Sequence, residues 1–151
     1  MIPFTVSRVP EHSPEFTNEA IRRQTEARIL RFASAGPRAI DRRLRQLDDE
    51  WDIERVLEAN ASSLILAGMA LGSLVDRRYY LVPTVVAGFL LQHAIQGWCP
   101  PLPLFRRMGV RTAHEIEQER RALLLLRGDW HGLQGDTDHG RVEQALQAVR
   151  S

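Results

Sequence analysis

Apolar positions are gathered toward the middle of the chain. Two runs, Ala61 to Val75 and Tyr79 to Trp98, are interrupted by the charged break Asp76-Arg77-Arg78. The second run matches the roughly 20 residues that cross a bilayer's hydrocarbon core, and the first reaches that length only by taking in Leu57 to Asn60. The pattern predicts an all-α chain in which a two-helix transmembrane hairpin is flanked by amphipathic cytoplasmic helices. Four segments follow from it: a disordered leader at 1–13, a helical arm at 14–56, the hairpin at 57–105, and a C-terminal arm and tail at 106–151.

Within the first arm, Ser13-Pro14-Glu15 opens a helix, with Ser as N-cap, Pro at the first helical position and an acid in the first turn. Phe16, Ala20, Ile21, Ala27, Leu30 and Phe32 give it a partly apolar face until Gly36-Pro37 stops it. From Arg38, the positions Ile40, Leu44, Leu47, Trp51 and Val56 describe a second amphipathic helix, expected to run with a bend near Asp48-Asp49 into the first apolar run. Charge pairs such as Asp41 with Arg45 read as a solvated face.

Small residues mark the first run. Gly68-x-x-x-Gly72 stacks two glycines on one helical face, where they let a second backbone approach closely. The second run opens on Tyr79-Tyr80 and closes on Trp98, aromatics that favour the membrane interface. Pro83 falls in its first turn, and Pro100-Pro101-x-Pro103 ends it sharply. Thr112-Ala113-His114-Glu115 is a capping box for a helix carrying Ile116, Leu123, Leu124 and Leu126 up to Gly128. After a glycine-loosened stretch, Val142, Ala145, Leu146 and Val149 predict a short terminal amphipathic helix.

Charge places this architecture. The chain has 20 basic and 19 acidic residues, all the bases being Arg, for a net charge of +1. The signs are interspersed, which argues against a nucleic-acid partner. Met1-Ile2-Pro3-Phe4 lacks the features of a signal peptide, so insertion is expected from the hairpin. Arg42, Arg43, Arg45 and Arg55 precede it and Arg106, Arg107 and Arg111 follow, against Arg77 and Arg78 in the turn. The imbalance predicts both termini on the cytoplasmic side.

Gly88-Phe89-Leu90-Leu91-Gln92-His93-Ala94-Ile95-Gln96-Gly97-Trp98-Cys99-Pro100, preceded by a short apolar helix and a tight charged turn, resembles the YgaP-like inner-membrane transmembrane domains of bacteria, with Gly97-Trp98-Cys99-Pro100 the distinctive motif. The resemblance covers roughly residues 57–105 and implies a bacterial inner-membrane hairpin, with a homodimer among its expected forms. Its relatives occur alone or behind a sulfur-transferring rhodanese domain. The chain has no Cys-centred rhodanese loop, so that activity does not carry over.

Candidate chemistry is sparse. Cys99, the single cysteine, would lie at the cytoplasmic interface near Arg106 and Arg107, where positive charge favours a thiolate; the plainer reading is a small hydrophobe fixing the turn. His93, with Gln92 and Gln96, is polar at membrane depth and so requires a partner, for which Asn60 or Ser62 is expected. Metal or haem ligation by His93 with Cys99 is disfavoured, because six positions apart on a helix they do not share a face. His114, His131 and His139 with Asp129, Asp136 and Asp138 match no ligand spacing and read as a solvated tail. No phosphate-binding loop, nucleophile elbow or His-Glu-x-x-His motif is present. The expectation is a non-enzymatic membrane scaffold without cofactor or metal, whose partners are membrane lipid and a second copy or another protein. A membrane-bound thiol carrier using Cys99 in sulfur or redox traffic, and a soluble helical bundle, are the alternatives.

Overall fold

The computed structural model describes residues 8–128 together with 140, 142, 143, 146 and 147. Among the described residues the regular structure is helical throughout, as the apolar periodicities require: α1 (Arg8–Glu11), α2 (Glu15–Ala35), α3 (Pro37–Asp49), α4 (Ile53–Leu74), a 3-10 turn (Arg77–Tyr80), α5 (Leu81–Gln96), α6 (Leu102–Arg107) and α7 (Ala113–Arg127). The chain divides into two compact units, one of residues 1–18 and 51–110 and the other of 19–50 and 111–151. The arms before and after the hairpin are thus largely parts of one unit.

In the hairpin unit, α4 does not continue from α3 through a bend. The backbone is extended at Glu50, and Asp52 restarts the helix as N-cap, its carboxylate accepting the Arg55 amide at 2.8 Å. A short acid that can satisfy an orphan helical N–H favours a fresh start over a continuous helix. α4 and α5 pack as an antiparallel pair about the 3-10 turn. Asp76 caps that turn by accepting the Arg78 amide, and Tyr80 Oη is bonded to Ser73 Oγ at 2.9 Å.

The second apolar run yields the shorter helix. It spends its ends on the 3-10 turn and on the Gly97–Cys99 turn, so α5 has 16 residues, about 24 Å at ~1.5 Å per residue. By length and composition one helical stretch, residues 37–74 including the break at 50–52, is sufficient to cross a membrane, and 22% of its apolar window is buried. Apolar side chains cover the outside of the hairpin instead of filling a core. Leu66, Leu74, Leu81 and Leu91 are 70%, 84%, 68% and 63% exposed.

A small core closes the base of the hairpin, made by Val9, Ile53, Leu57, Cys99 and Leu102 with Trp98, Phe105 and Val110 against it. Val9 draws in the end of the leader, which is therefore helical from Arg8 to Glu11 and not irregular to residue 13. The prolines after Cys99 do more than end α5. Pro101 and Pro103 lie at the start of α6, where a missing N–H costs nothing. Arg106 on α6 is fully buried and donates to the Val110 carbonyl and to Asn18 Oδ1.

The second unit is built on α3 and α7. Ile40, Leu44 and Leu47 meet Ile116 and Leu123, with Phe32, Leu124 and Leu126 beside them. Both halves of the Thr112–Glu115 capping box form, and Gly128 ends α7 at φ 96°. Asp41 pairs with Arg127 at 2.7 Å, not with Arg45. Val142 is buried in a cluster with Ile29 and Ala122, and Leu146 packs against it. Ala145 and Val149 of the predicted terminal helix lie outside the described residues.

Candidate functional site

His93 is brought to the base of the hairpin, not to its middle. Gly68 faces Val82 and Pro83, and Gly72 faces the Tyr80 ring; this register carries His93 past Asn60 and Ser62 to the first turn of α4. There its Nε2 is 2.8 Å from Oε2 of Glu54, and Arg8 closes the other side of the carboxylate, Nη2 to Oε1 at 2.8 Å. A second Arg8 nitrogen donates to the Ala94 carbonyl at 2.9 Å. The partner expected in Asn60 or Ser62 is thus an acid in the mouth of the hairpin. The ion-paired carboxylate supplies the partner that a buried imidazole requires.

Cys99 returns to the base of the hairpin. It does not share a helical face with His93, because α5 ends at Gln96 and Gly97 reverses the chain in the left-handed region, φ 78°. Such a turn requires glycine sterically, and here doubly so, because a Cβ on Gly97 would lie 2.6 Å from Arg8 Cβ. The reversal buries Cys99 in the basal core with Val9, Ile53, Leu57 and Leu102. His93 Nδ1, the nitrogen that Glu54 leaves free, is buried and makes no hydrogen bond of normal geometry. The cationic neighbours expected for Cys99, Arg106 and Arg107, are not its partners: Arg106 is engaged with Asn18 and Val110, and Arg107 lies over the Phe16 ring.

A groove of about 470 Å³ begins at Cys99, Pro100 and Pro101 and is lined along the hairpin by Leu57, Ala61, Val85 and Phe89 among others, with Asn60 as its polar side chain. The Gly97-Trp98-Cys99-Pro100 motif therefore has distinct parts. Gly97 makes the turn, Trp98 packs on the basal core, Cys99 joins that core and the groove, and Pro100 lines the mouth. Gln92 is half-buried and Gln96 exposed on α5.

The paired glycines meet a partner within the chain. A Cβ on Gly68 would lie 2.5 Å from Pro83 Cδ, and one on Gly72 2.8 Å from the Tyr80 ring. Neither side has room for one.

The second unit contains a polar centre that the spacing of charges along the sequence did not disclose. Glu119 is fully buried on α7, bound by Arg43 Nε at 2.7 Å and by Arg111, with Arg28 Nε at 3.4 Å. Arg111 also grips Glu50 through two bonds of 2.8 Å, and Arg43 reaches Glu50 at 3.3 Å. Burial pushes the Glu119 carboxyl up, but Arg43, Arg111 and Arg28 outweigh it and hold it below the ordinary carboxylate value. Glu119 lies on the same helical face as Ile116 and Leu123 of the buried core. That apolar-face position was the available signal that this acid faces inward.

His114 is exposed and bonded to Gln118, and His131, His139, Asp129, Asp136 and Asp138 lie outside the described residues. Among the described residues, no group of three His, Cys, Asp or Glu side chains is placed to hold a metal ion. The chain matches no protein-family model, and no curated protein or solved structure matches it.

Proposed function

We propose that the protein is a membrane-inserted hairpin that anchors a polar helical unit, and that it acts as a scaffold for self-association or partner binding without an enzymatic role in that capacity. The observation that carries this reading is the apolar exterior of α4 and α5. Large exposed apolar patches on a folded chain mark membrane or protein contacts, and here the patch wraps around the hairpin from its tip toward its base, including Leu66, Leu71, Leu74, Leu81, Val85 and Leu91. Residues 59–75 and 79–92 carry no formal charge, lengths of about 25 and 20 Å at ~1.5 Å per residue.

Both are shorter than a ~30 Å hydrocarbon core, so the hairpin requires local thinning and snorkelling of Arg77 and Arg78 at its tip. Glu54, His93 and Arg8 then lie at the opposite interface. The greater Arg content on the side of the arms favours both termini in the cytoplasm. The likeness of Gly97-Trp98-Cys99-Pro100 to the YgaP-like hairpins points to the same place, a bacterial inner membrane. Alkaline carbonate extraction of expressing cells tests the reading: the chain stays in the membrane pellet. Recovery as a soluble, unaggregated protein favours instead a helical bundle that buries the hairpin against a partner.

A further inference from the structure

We propose that the outer face of α3, formed by Arg38, Arg42 and Arg45, is a docking surface for the phosphate headgroups of anionic phospholipid. This deepens the scaffold reading and rests on its membrane insertion, since it names the lipid class that the helical unit would meet beside the hairpin.

The three arginines recur at i, i+4 and i+7 of α3, which stacks them on one helical face. That face is opposite the one carrying Ile40, Leu44 and Leu47, which is buried against α7. All three side chains are exposed. With Asp41 they border a surface hollow of about 380 Å³. The Asp41 carboxylate is taken by Arg127 at 2.7 Å, so the guanidinium groups set the character of the hollow.

Neutralisation within this unit is uneven. On α2, Arg22 and Arg23 both pair with Glu19 at 2.6 Å. On α7, Arg121 pairs with Glu117 at 3.1 Å and Arg120 with Asp48 at 2.7 Å, while Arg43 and Arg111 are engaged by Glu50 and Glu119. Arg38, Arg42 and Arg45 form no ion pair or hydrogen bond among the described residues. Asp49, exposed at the end of α3, is the acid nearest in sequence to offset them, and it leaves an excess of positive charge on the face.

A guanidinium presents phosphate oxygens with a planar fork of donors. Seven residues at ~1.5 Å put roughly 10 Å between Arg38 and Arg45, more than one phosphate can bridge but a spacing that a surface of headgroups fills. Each arginine near an anionic leaflet adds about fivefold to the affinity, the equivalent of ~1 kcal/mol. The attraction fades within a Debye length of about 8–10 Å, so the surface has to be held close. Only Glu50, Trp51 and Asp52 separate α3 from α4. Trp51 is 47% exposed with the Arg55 guanidinium 4.3 Å from its ring, an aromatic of the kind that settles at headgroup level.

The test reconstitutes the full chain, with Cys99→Ser and a fluorophore on Gln46→Cys, into vesicles of phosphatidylcholine alone or mixed equally with phosphatidylglycerol. Both carry the same trace of a lipid with a quencher on its headgroup. The expected result is stronger quenching in the anionic vesicles, abolished near 1 M salt, where the Debye length is about 3 Å. The combined Arg38→Gln, Arg42→Gln, Arg45→Gln variant loses the difference, whereas Arg22→Gln, Arg23→Gln, Arg121→Gln, of the same net charge, keeps it. Equal quenching in the two lipids, or equal loss in the two variants, would overturn the proposal. So would inorganic pyrophosphate raising the melting temperature in detergent through these arginines without any lipid dependence of the quenching, which would assign the face to a free phosphate. Flotation with the neutral vesicles reads insertion separately. A chain that does not float there refutes the anchor, and the α3 face is then judged by whether anionic vesicles alone float the chain through Arg38, Arg42 and Arg45.

Discussion

Gly97 and Glu119 show how single residues set the two polar centres. Gly97 has φ 78° and lies against Arg8, so Gly97→Ala adds both left-handed strain and a clash. The strain alone is worth about 1–2 kcal/mol. Thermal melting should fall accordingly, and alkylation of Cys99 should accelerate as the turn that covers the thiol loosens. For Glu119 the arginines hold the folded-state carboxyl below its unfolded value. A depressed carboxyl contributes stability that is complete above the unfolded value, near 4.3 for a free Glu, and lost as pH falls through the folded one. The second unit should therefore destabilise on acidification below about pH 5. Glu119→Gln should lose roughly 3–5 kcal/mol at neutral pH, because it strands buried arginines, and should show a flatter acid limb in melts across pH. At this scale the sequence was only partly legible. Cys99 and His93 stand out in composition, but the pairing of His93 with Glu54 and the burial of Cys99 depend on the hairpin register and a chain reversal that helical periodicity ignores, and Arg43, Glu50, Arg111 and Glu119 are far apart in sequence and look like ordinary surface charges.

Helix boundaries were the most readable level, since caps are local chemistry. Thr112 with Glu115, Gly128 and Gly36-Pro37 each stand beside an observed end, but Ser13 does not cap α2: its hydroxyl donates to the Val9 carbonyl, and Pro14 stands at the cap with its carbonyl accepting the first helical bond. The exceptions have tertiary causes. α1 forms because Val9 is buried and Arg8 pairs with Glu54, and α6 forms because Leu102 fills the same basal core. The Gly68-x-x-x-Gly72 spacing anticipated a close approach, and the contacts with Pro83 and Tyr80 supply it. Gly72→Leu has to displace the Tyr80 ring and break its bond to Ser73, an overpacking cost of about 1–3 kcal/mol. Melting of the full chain in detergent should fall clearly for Gly72→Leu and little for Leu71→Ile, whose side chain points outward. Equal melting of the two variants would mean that the hairpin does not depend on this contact.

For the molecule as a whole, the apolar runs announced the hairpin, but the division into units did not follow the order of segments. Residues 19–50 and 111–151 join across the sequence because the apolar faces of α3 and α7 complete one another, and two faces of similar period do not name their partners in advance. The runs also overstated the second helix, since sequence length cannot tell helical residues from those spent on turns.

Insertion of the far end of the hairpin is the central claim, and side-chain accessibility tests it most directly. In a Cys99→Ser background, single cysteines at Leu66 and Val85, both outward-facing, are exposed to a charged, membrane-impermeant maleimide in reconstituted vesicles, with a cysteine at exposed Arg42 in vesicles opened to both faces as the reference. The account predicts that the Leu66 and Val85 sites stay unlabelled while the reference reacts, and that detergent, by replacing the bilayer, changes their labelling far more than that of the reference. Labelling of both sites as fast as the reference in intact bilayers would contradict it.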